Sequence, residues 1–226
     1  MIMSAFTKIS DLLITKTNQF QVYNKPGGLP VQPDKTQDNS ILDLAQAYHK
    51  ATLFPINRID RPASGIVLFA TSSQAASNLN QQLSAHQIQR TYLAVVPKTE
   101  TPLKASTLVH YLKPGRNNKM LVFDKETSGA KKAVTAITPL SVGDRWQLIQ
   151  LDLQTGRHHQ IRAQLSHISL PIKGDVKYGA KRGEKDRSIL LHSWKMSFKH
   201  PISSEQIQIE AQPPASNLWN ALLNNL

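Results

Sequence analysis

Cysteine is absent from all 226 residues, which excludes disulfides, thiolate metal sites and thiol nucleophiles at once. Long apolar runs are absent too. No stretch approaches the roughly 18 residues needed to span a bilayer, so membrane insertion is not expected. Met1 to Asp11 carries an early Lys8 but no extended apolar stretch and no small-residue cleavage site, and does not read as a secretory signal. A cytoplasmic location is the simplest expectation. Acidic residues are scarce beside basic ones, 15 against 27, for a net charge of +12. The excess is concentrated, because residues 101–200 carry +11 of it and residues 201–226 carry −2. Such a surface attracts polyanions and loosens its hold as salt rises, which points to nucleic acid ahead of other partners. Length and an ordinary hydrophobic fraction of 40% allow one large domain or two small ones with a sizeable core.

Along the chain, Phe20 to Tyr23 reads as a strand running into a Pro- and Gly-enforced turn at Asn24 to Pro30. Ser40 can cap a helix carrying Leu42, Ala45 and Tyr48 on one stripe. Gly65 to Ala70 is a buried strand by length and apolar continuity, followed by a helix from Ser73 to about His86 with Ala76, Leu79 and Leu83 aligned. Strands are predicted at Tyr92 to Val96, Ser106 to Leu112, Lys132 to Thr138 and Trp146 to Leu153. Lys113 to Ser128, rich in Pro, Gly, Asn and charge, reads as a basic loop or hairpin. A helix is expected from Arg157 to about Ser169, then an alternating strand at Glu205 to Ala211 and a closing helix starting at Ser216. No repeat or linker divides the chain. The prediction is α+β, a mainly antiparallel mixed sheet with flanking helices, made of two sub-lobes.

Two segments carry candidate chemistry. Asn57-Arg58-Ile59-Asp60-Arg61-Pro62-Ala63-Ser64-Gly65 is a polar turn immediately before a buried strand, where a scaffold can present a reactive group. Flanking arginines surround Asp60 with positive charge, a setting that suits a nucleophile or base and equally suits a structural turn aspartate. In Thr155-Gly156-Arg157-His158-His159-Gln160-Ile161-Arg162, Gly156 permits a tight strand-to-helix turn, and a helix start with basic side chains favours phosphate or carboxylate. His158, His159 and His167 invite a metal, but no carboxylate sits at ligand spacing and no thiol exists, so no metal is expected.

These residues carry a resemblance to the RluA-type pseudouridine synthases. That family holds its catalytic aspartate in a His-Arg-Leu-Asp motif followed by Thr-Ser-Gly and an apolar strand, which Asn57 to Asp60, Ala63 to Gly65 and Ile66 to Ala70 resemble. Lys25 to Leu29 is similar to its Lys-Pro-Ala-Gly segment, and Arg90 to Val96 to its Lys-x-Tyr-x-Ala segment. The match continues through Thr155 to Arg162, Pro171 to Asp175, Tyr178-Gly179, Leu191 to Ser193 and Phe198 to Pro201. Each segment is weak alone; in order, across Phe20 to Pro201, they are specific.

The resemblance implies a pseudouridine synthase-like catalytic domain at 20–226, two sub-lobes around an RNA-binding cleft, preceded by an extension at 1–19 too short for the small N-terminal RNA-binding domain the family often carries. It implies that Asp60 is the catalytic carboxylate, that Arg58 helps displace the target uridine, that Tyr92 lies against the flipped base and that Arg162 pairs with Asp60. Arg61, Arg157, His158, His159, Gln160, Leu191 and His192 are the expected substrate contacts. The base must leave its stack, and an aromatic face can return about 1 to 3 kcal/mol of that cost. The carboxylate either attacks the sugar or abstracts a sugar proton, and no cofactor is needed.

Two positions depart from the pattern, with Asn57 for the usual His and His158 for the usual Thr. The expected partner is structured RNA, ribosomal, transfer or both, bound by a monomer through Lys113, Arg116, Lys119, Lys131 and Lys132 and through Lys177, Lys181, Arg182, Lys185 and Arg187. The alternatives are a non-catalytic RNA-binding or ribosome-assembly protein of the same fold, and a glycoside hydrolase pairing Asp60 with Asp175.

Overall fold

Short apolar runs punctuated by Gly, Pro and Asn become strands, and the capped amphipathic stretches become helices, in a computed structural model that describes residues 8–225. In chain order the elements are β1 (Leu13–Lys16), β2 (Phe20–Lys25), α1 (Ile41–His49), β3 (Phe54–Pro55), β4 (Ser64–Ala70), α2 (Ser73–Ser84), β5 (Gln89–Pro97) and β6 (Ser106–Pro114). They continue with β7 (Met120–Phe123), β8 (Lys131–Val142), β9 (Trp146–Leu153), α3 (Gln160–His167), β10 (Leu191–Lys199), β11 (Gln206–Glu210) and α4 (Asn217–Leu223). Among the described residues no helix is long and apolar enough to cross a membrane. The chain forms two compact units, and the α+β prediction agrees with the elements observed.

The first unit takes the described chain up to Gln89 with Asp186–Ser188 and His192–Pro213. Its strands run β1-β2-β4-β10, with β3 also on β4 and β11 on β10. All pairings are antiparallel except β4 with β10, where Ser64 lies beside His192 and Gly65 beside Ser193. Every residue of β4 is buried, as its unbroken apolar run requires of a central strand. Its Ile66 and Leu68 join Phe20, Val22, Leu79, Met196 and Phe198 in one core. Gly65 has φ +113, and a Cβ there would lie 2.3 Å from the carbonyl oxygen of Ser193. Only glycine permits β4 and β10 to approach so closely at this point.

The second unit comprises Arg90–Lys185, Ile189–Leu191 and the chain from Pro214 onward. Its strands run β5-β9-β8-β6-β7, antiparallel throughout. The buried Ala163 of α3 packs with Leu112, Ala133 and Tyr178, flanked by Met120 and Val122. Of the basic loop or hairpin expected at Lys113 to Ser128, the structure has the hairpin, closed at Gly115–Lys119 and containing β7.

Two expectations need correction. Tyr48 is 54% exposed, because it sits in the last turn of α1 before the left-handed Lys50 and leans on the His49 ring; the buried stripe is Ile41 and Ala45. α3 is shorter than predicted, since His159 (φ 49) and Ser169 (φ 62) are left-handed and keep both neighbouring segments out of the helix. In the described part of the segment ahead of Phe20, β1 pairs with β2.

Candidate active site

Asp60 opens a tight turn closed by the Ala63 N–H on the Asp60 carbonyl at 3.0 Å. The turn is fixed from several directions within the first unit. Before it, Asn57 is buried, donating to Ile66 O at 3.1 Å and accepting from Leu68 N–H at 2.7 Å. The Asn that departs from the family pattern therefore pairs with the backbone of β4 as a strand would. Beneath it, Lys25 is wholly buried, and its ammonium donates to the carbonyls of Pro26 (2.9 Å), Leu29 (2.7 Å), Arg61 (3.1 Å) and Ala63 (2.6 Å). Burial pushes this lysine down to about 7, while the charge of Asp60 pulls the other way and Arg61 adds to the push. Four carbonyl dipoles aimed at one cation replace the water it has lost. The carboxylate of Asp60 itself is only partly buried, and Arg58 beside it is exposed.

Arg61, an expected substrate contact, is engaged within the protein. Its Nε donates to Gly28 O at 2.8 Å, and its other nitrogens reach Thr36 Oγ1 (2.7 Å), Asp34 (3.3 Å) and Asp38. It fastens the 34–38 loop to the Asp60 turn. His192, another expected contact, is enclosed in the first unit. Wholly buried, it donates from Nε2 to Ala211 O at 2.8 Å and accepts the Ser64 hydroxyl on Nδ1 at 2.8 Å. Burial lowers it to about 4, partly opposed by the Ala211 carbonyl. It holds the start of β4, four residues after Asp60, and does so as a neutral ring.

In the second unit, Tyr92 lies on β5 opposite Leu151, 7% exposed. Arg157 to His159 form a turn leading into α3, and Gln160 braces it. The Gln160 Oε1 accepts from Thr155 Oγ1 (2.8 Å) and Arg157 N (2.9 Å), and its Nε2 donates to Val134 O (3.1 Å) and Thr135 Oγ1 (2.9 Å). With its amide so fully used, Gln160 braces the shape of the turn. Leu191, another expected contact, is buried as well. Arg157 and His158 are exposed; the Nε of Arg157 donates to Lys132 O at 3.0 Å, and His158 Nε2 lies 3.1 Å from Asn118 Oδ1 on the β6–β7 turn. Arg162 is buried and makes a two-pronged pair with Asp175, Nε to Oδ2 at 2.6 Å and Nη2 to Oδ1 at 2.8 Å. That pair holds the guanidinium plane fixed. It also gives Asp175 an evident role other than the second carboxylate of a glycosidase.

A possible metal cluster invisible to sequence spacing stands elsewhere in this unit, where His110, Asp124 and His167 place one ligand atom each within 4.8 Å of one another. The chemistry of its donors is wrong for an ion. The Gln164 amide nitrogen, oriented by Ala133 O at 3.2 Å, donates to His110 Nδ1 at 3.1 Å. The nitrogen of His110 that faces Asp124 therefore carries the proton, and the group is a hydrogen-bonded cluster.

A family model described as RNA pseudouridylate synthase matches residues 19–167. This chain belongs to the RNA pseudouridylate synthase family. As a member of it, the chain is an RNA pseudouridine synthase, an isomerase. It is 31% identical over 225 residues to tRNA pseudouridine synthase C of Haemophilus influenzae, covering 89% of this chain and 91% of that one. It is 30% identical over 203 residues to an uncharacterized RNA pseudouridine synthase of Mycoplasma pneumoniae, where the match spans 88% of this chain and 66% of the relative. The solved human RNA pseudouridylate synthase domain containing 4 superposes with a TM-score of 0.76 at 22% identity, over 96% of this chain and 93% of that one, which shows the shared fold.

Within the synthase, sequence reasoning gave no role to Lys25, Tyr178 or Asp175. Lys25 and Tyr178 fall inside segments that resemble the family, so the signal was present without a function attached. Asp175 also lies in such a segment, where it was weighed only as the second carboxylate of a glycosidase, and the fold sets it on Arg162, 13 residues away.

Proposed function

We propose that this synthase converts a uridine of transfer RNA to pseudouridine with Asp60 as its catalytic carboxylate. The reading rests most on the construction of the Asp60 turn. Asn57, Lys25 and the Ser64–His192 pair immobilise the backbone on either side of a carboxylate that stays partly open. A group built for packing would need no such support, whereas a reacting group gains from being held in one geometry.

The reaction breaks the bond from ribose C1′ to N1, with its electron pair leaving on the uracil, and remakes the link from C1′ to C5. The proton on C5 is released and N1 takes one up, so nothing is oxidised or reduced. Asp60 serves either by attacking the sugar or by removing a sugar proton. Tyr92 supplies an aromatic face for the flipped base. Arg162, its plane set by Asp175, supplies a fixed positive charge in a buried setting. Exposed Arg58, Arg157 and His158 are suited to phosphates and the displaced strand. Transfer RNA is favoured over ribosomal RNA because relatives named tRNA pseudouridine synthase C, from Haemophilus influenzae and Vibrio parahaemolyticus, align over about nine-tenths of both lengths.

The test is Asp60→Asn assayed on unmodified tRNA transcripts. Loss of pseudouridine with RNA affinity kept supports the reading; an Asn variant working at the wild-type rate overturns it.

A further inference from the structure

Arg90 stands at the start of β5, two residues before Tyr92, and has no part in the mechanism above. Among the described residues, the arginines that are not exposed are Arg61, Arg90 and Arg162. Arg61 pairs with Asp34 and Asp38, and Arg162 with Asp175. Arg90 makes no hydrogen bond or ion pair with any described residue, and its Nε is buried with nothing to donate to. Asp152, across the sheet from the next residue of β5, is already taken by the Thr91 hydroxyl at 2.6 Å and the Gln150 amide at 2.9 Å.

The Arg90 guanidinium lies on the turn that leads from β9 to α3. A Cβ at Gly156 would come within 2.7 Å of its Nη1, 3.2 Å of its Nη2 and 3.4 Å of its Cζ. The φ of Gly156 lies outside the left-handed region, so this glycine answers to space rather than to backbone conformation. The surroundings are basic. Exposed Arg157 comes next in the chain, and its Nε donates to the carbonyl of Lys132, itself exposed, at 3.0 Å. A partly buried guanidinium with no partner, set among like charges, is costly until an anion completes it.

We propose that Arg90 binds a backbone phosphate of the RNA, and that residue 156 is glycine so that the Arg90 guanidinium can lie over the turn. RNA presents one phosphate per nucleotide, and the planar fork of a guanidinium matches two phosphate oxygens at once. Side chains alternate along β5, so Arg90 and Tyr92 leave the same face of the strand, their Cα atoms about 6.8 Å apart. A nucleotide whose base lies on Tyr92 covers that span from base to phosphate, which places the contact at or next to the flipped uridine. That placement rests on the role given above to Tyr92; the phosphate contact itself does not.

The test is the affinity of the full chain for an unmodified tRNA transcript between about 50 and 200 mM salt. Arg90→Gln removes the charge; it should weaken binding about tenfold at low salt and reduce the slope of log affinity against log salt by about 1. Arg90→Lys, which keeps the charge, should keep the slope. In Gly156→Ala the new methyl meets the far end of a flexible side chain, so the urea midpoint should hold while the displaced guanidinium costs several-fold in RNA affinity. The double variant should bind no more weakly than Arg90→Gln alone. Gly156→Ala retains Arg90 and stays informative even if Arg90→Gln folds poorly. An unchanged slope in folded Arg90→Gln, a slope in Arg90→Lys as low as in Arg90→Gln, or wild-type RNA affinity in Gly156→Ala would each overturn the proposal. Binding is read without turnover, and the slope counts phosphates whatever the sequence of the RNA, so the outcome is separate from that of Asp60→Asn and from the choice of transfer RNA as substrate.

Discussion

Lys25 shows how much of the Asp60 turn can hang on one wholly buried side chain. Its ammonium is the shared donor for two carbonyls of the Pro26 to Leu29 turn and for those of Arg61 and Ala63 within the Asp60 turn. Lys25→Met retains bulk and removes the donor, leaving buried carbonyls unpaired at about 1 to 3 kcal/mol each, offset in part by sparing the desolvation of a charge. The expected result is a net loss of about 2 to 4 kcal/mol in urea unfolding, together with reduced turnover. A variant with an unchanged midpoint would show that the carbonyls need no common donor. At this scale the sequence singled out Asp60, Tyr92 and Arg162 because chemistry and motif coincide there, and their roles belong to the proposal above. The sequence was not legible where a polar side chain is consumed by the fold. His192 meets Ser64 across 128 positions and Gln160 meets Thr135 across 25, and nothing local distinguishes such a residue from one that faces RNA.

The elements follow the same division. β4, α2 and β9 were readable because burial is continuous or strictly periodic along them. β10 was not read as a strand, because its first half buries His192 and Ser193 and its apolar alternation begins only at Met196. The start of α3 was misplaced because a left-handed His159 is a tertiary arrangement, which no helix propensity reports. The junction of β4 with β10 also carries a titration. His192 has a folded value of about 4 against an ordinary 6.5, so between those values the unfolded chain binds more protons and stability falls as pH drops. The contribution is full above pH 6.5 and is lost as pH falls through about 4, a difference on the order of 3 kcal/mol. His192→Gln should be less stable at pH 7 and show a flatter decline of melting temperature from pH 7 to 4. A parallel, equally steep decline would assign the acid sensitivity to other groups.

For the whole molecule, charge placement matters more than total charge. The β6–β7 hairpin and the start of β8 gather Lys113, Arg116, Lys119, Lys131 and Lys132 in the second unit, from a region whose basic excess was plain in the sequence. Replacing Lys113, Arg116 and Lys119 by Ala should weaken tRNA binding about uniformly across sequences. It should also reduce the slope of log affinity against log salt by about 2 to 3. An unchanged slope would place the RNA elsewhere.

The central claim, that Asp60 performs the isomerisation, is tested most directly by counting pseudouridine formed in unmodified tRNA transcripts by the wild type and by Asp60→Asn at matched RNA occupancy. The account predicts product from the wild type and a loss of about a thousandfold or more from the variant, with Kd for RNA changed by less than about twofold. Pseudouridine formed by the Asn variant at the wild-type rate would contradict it.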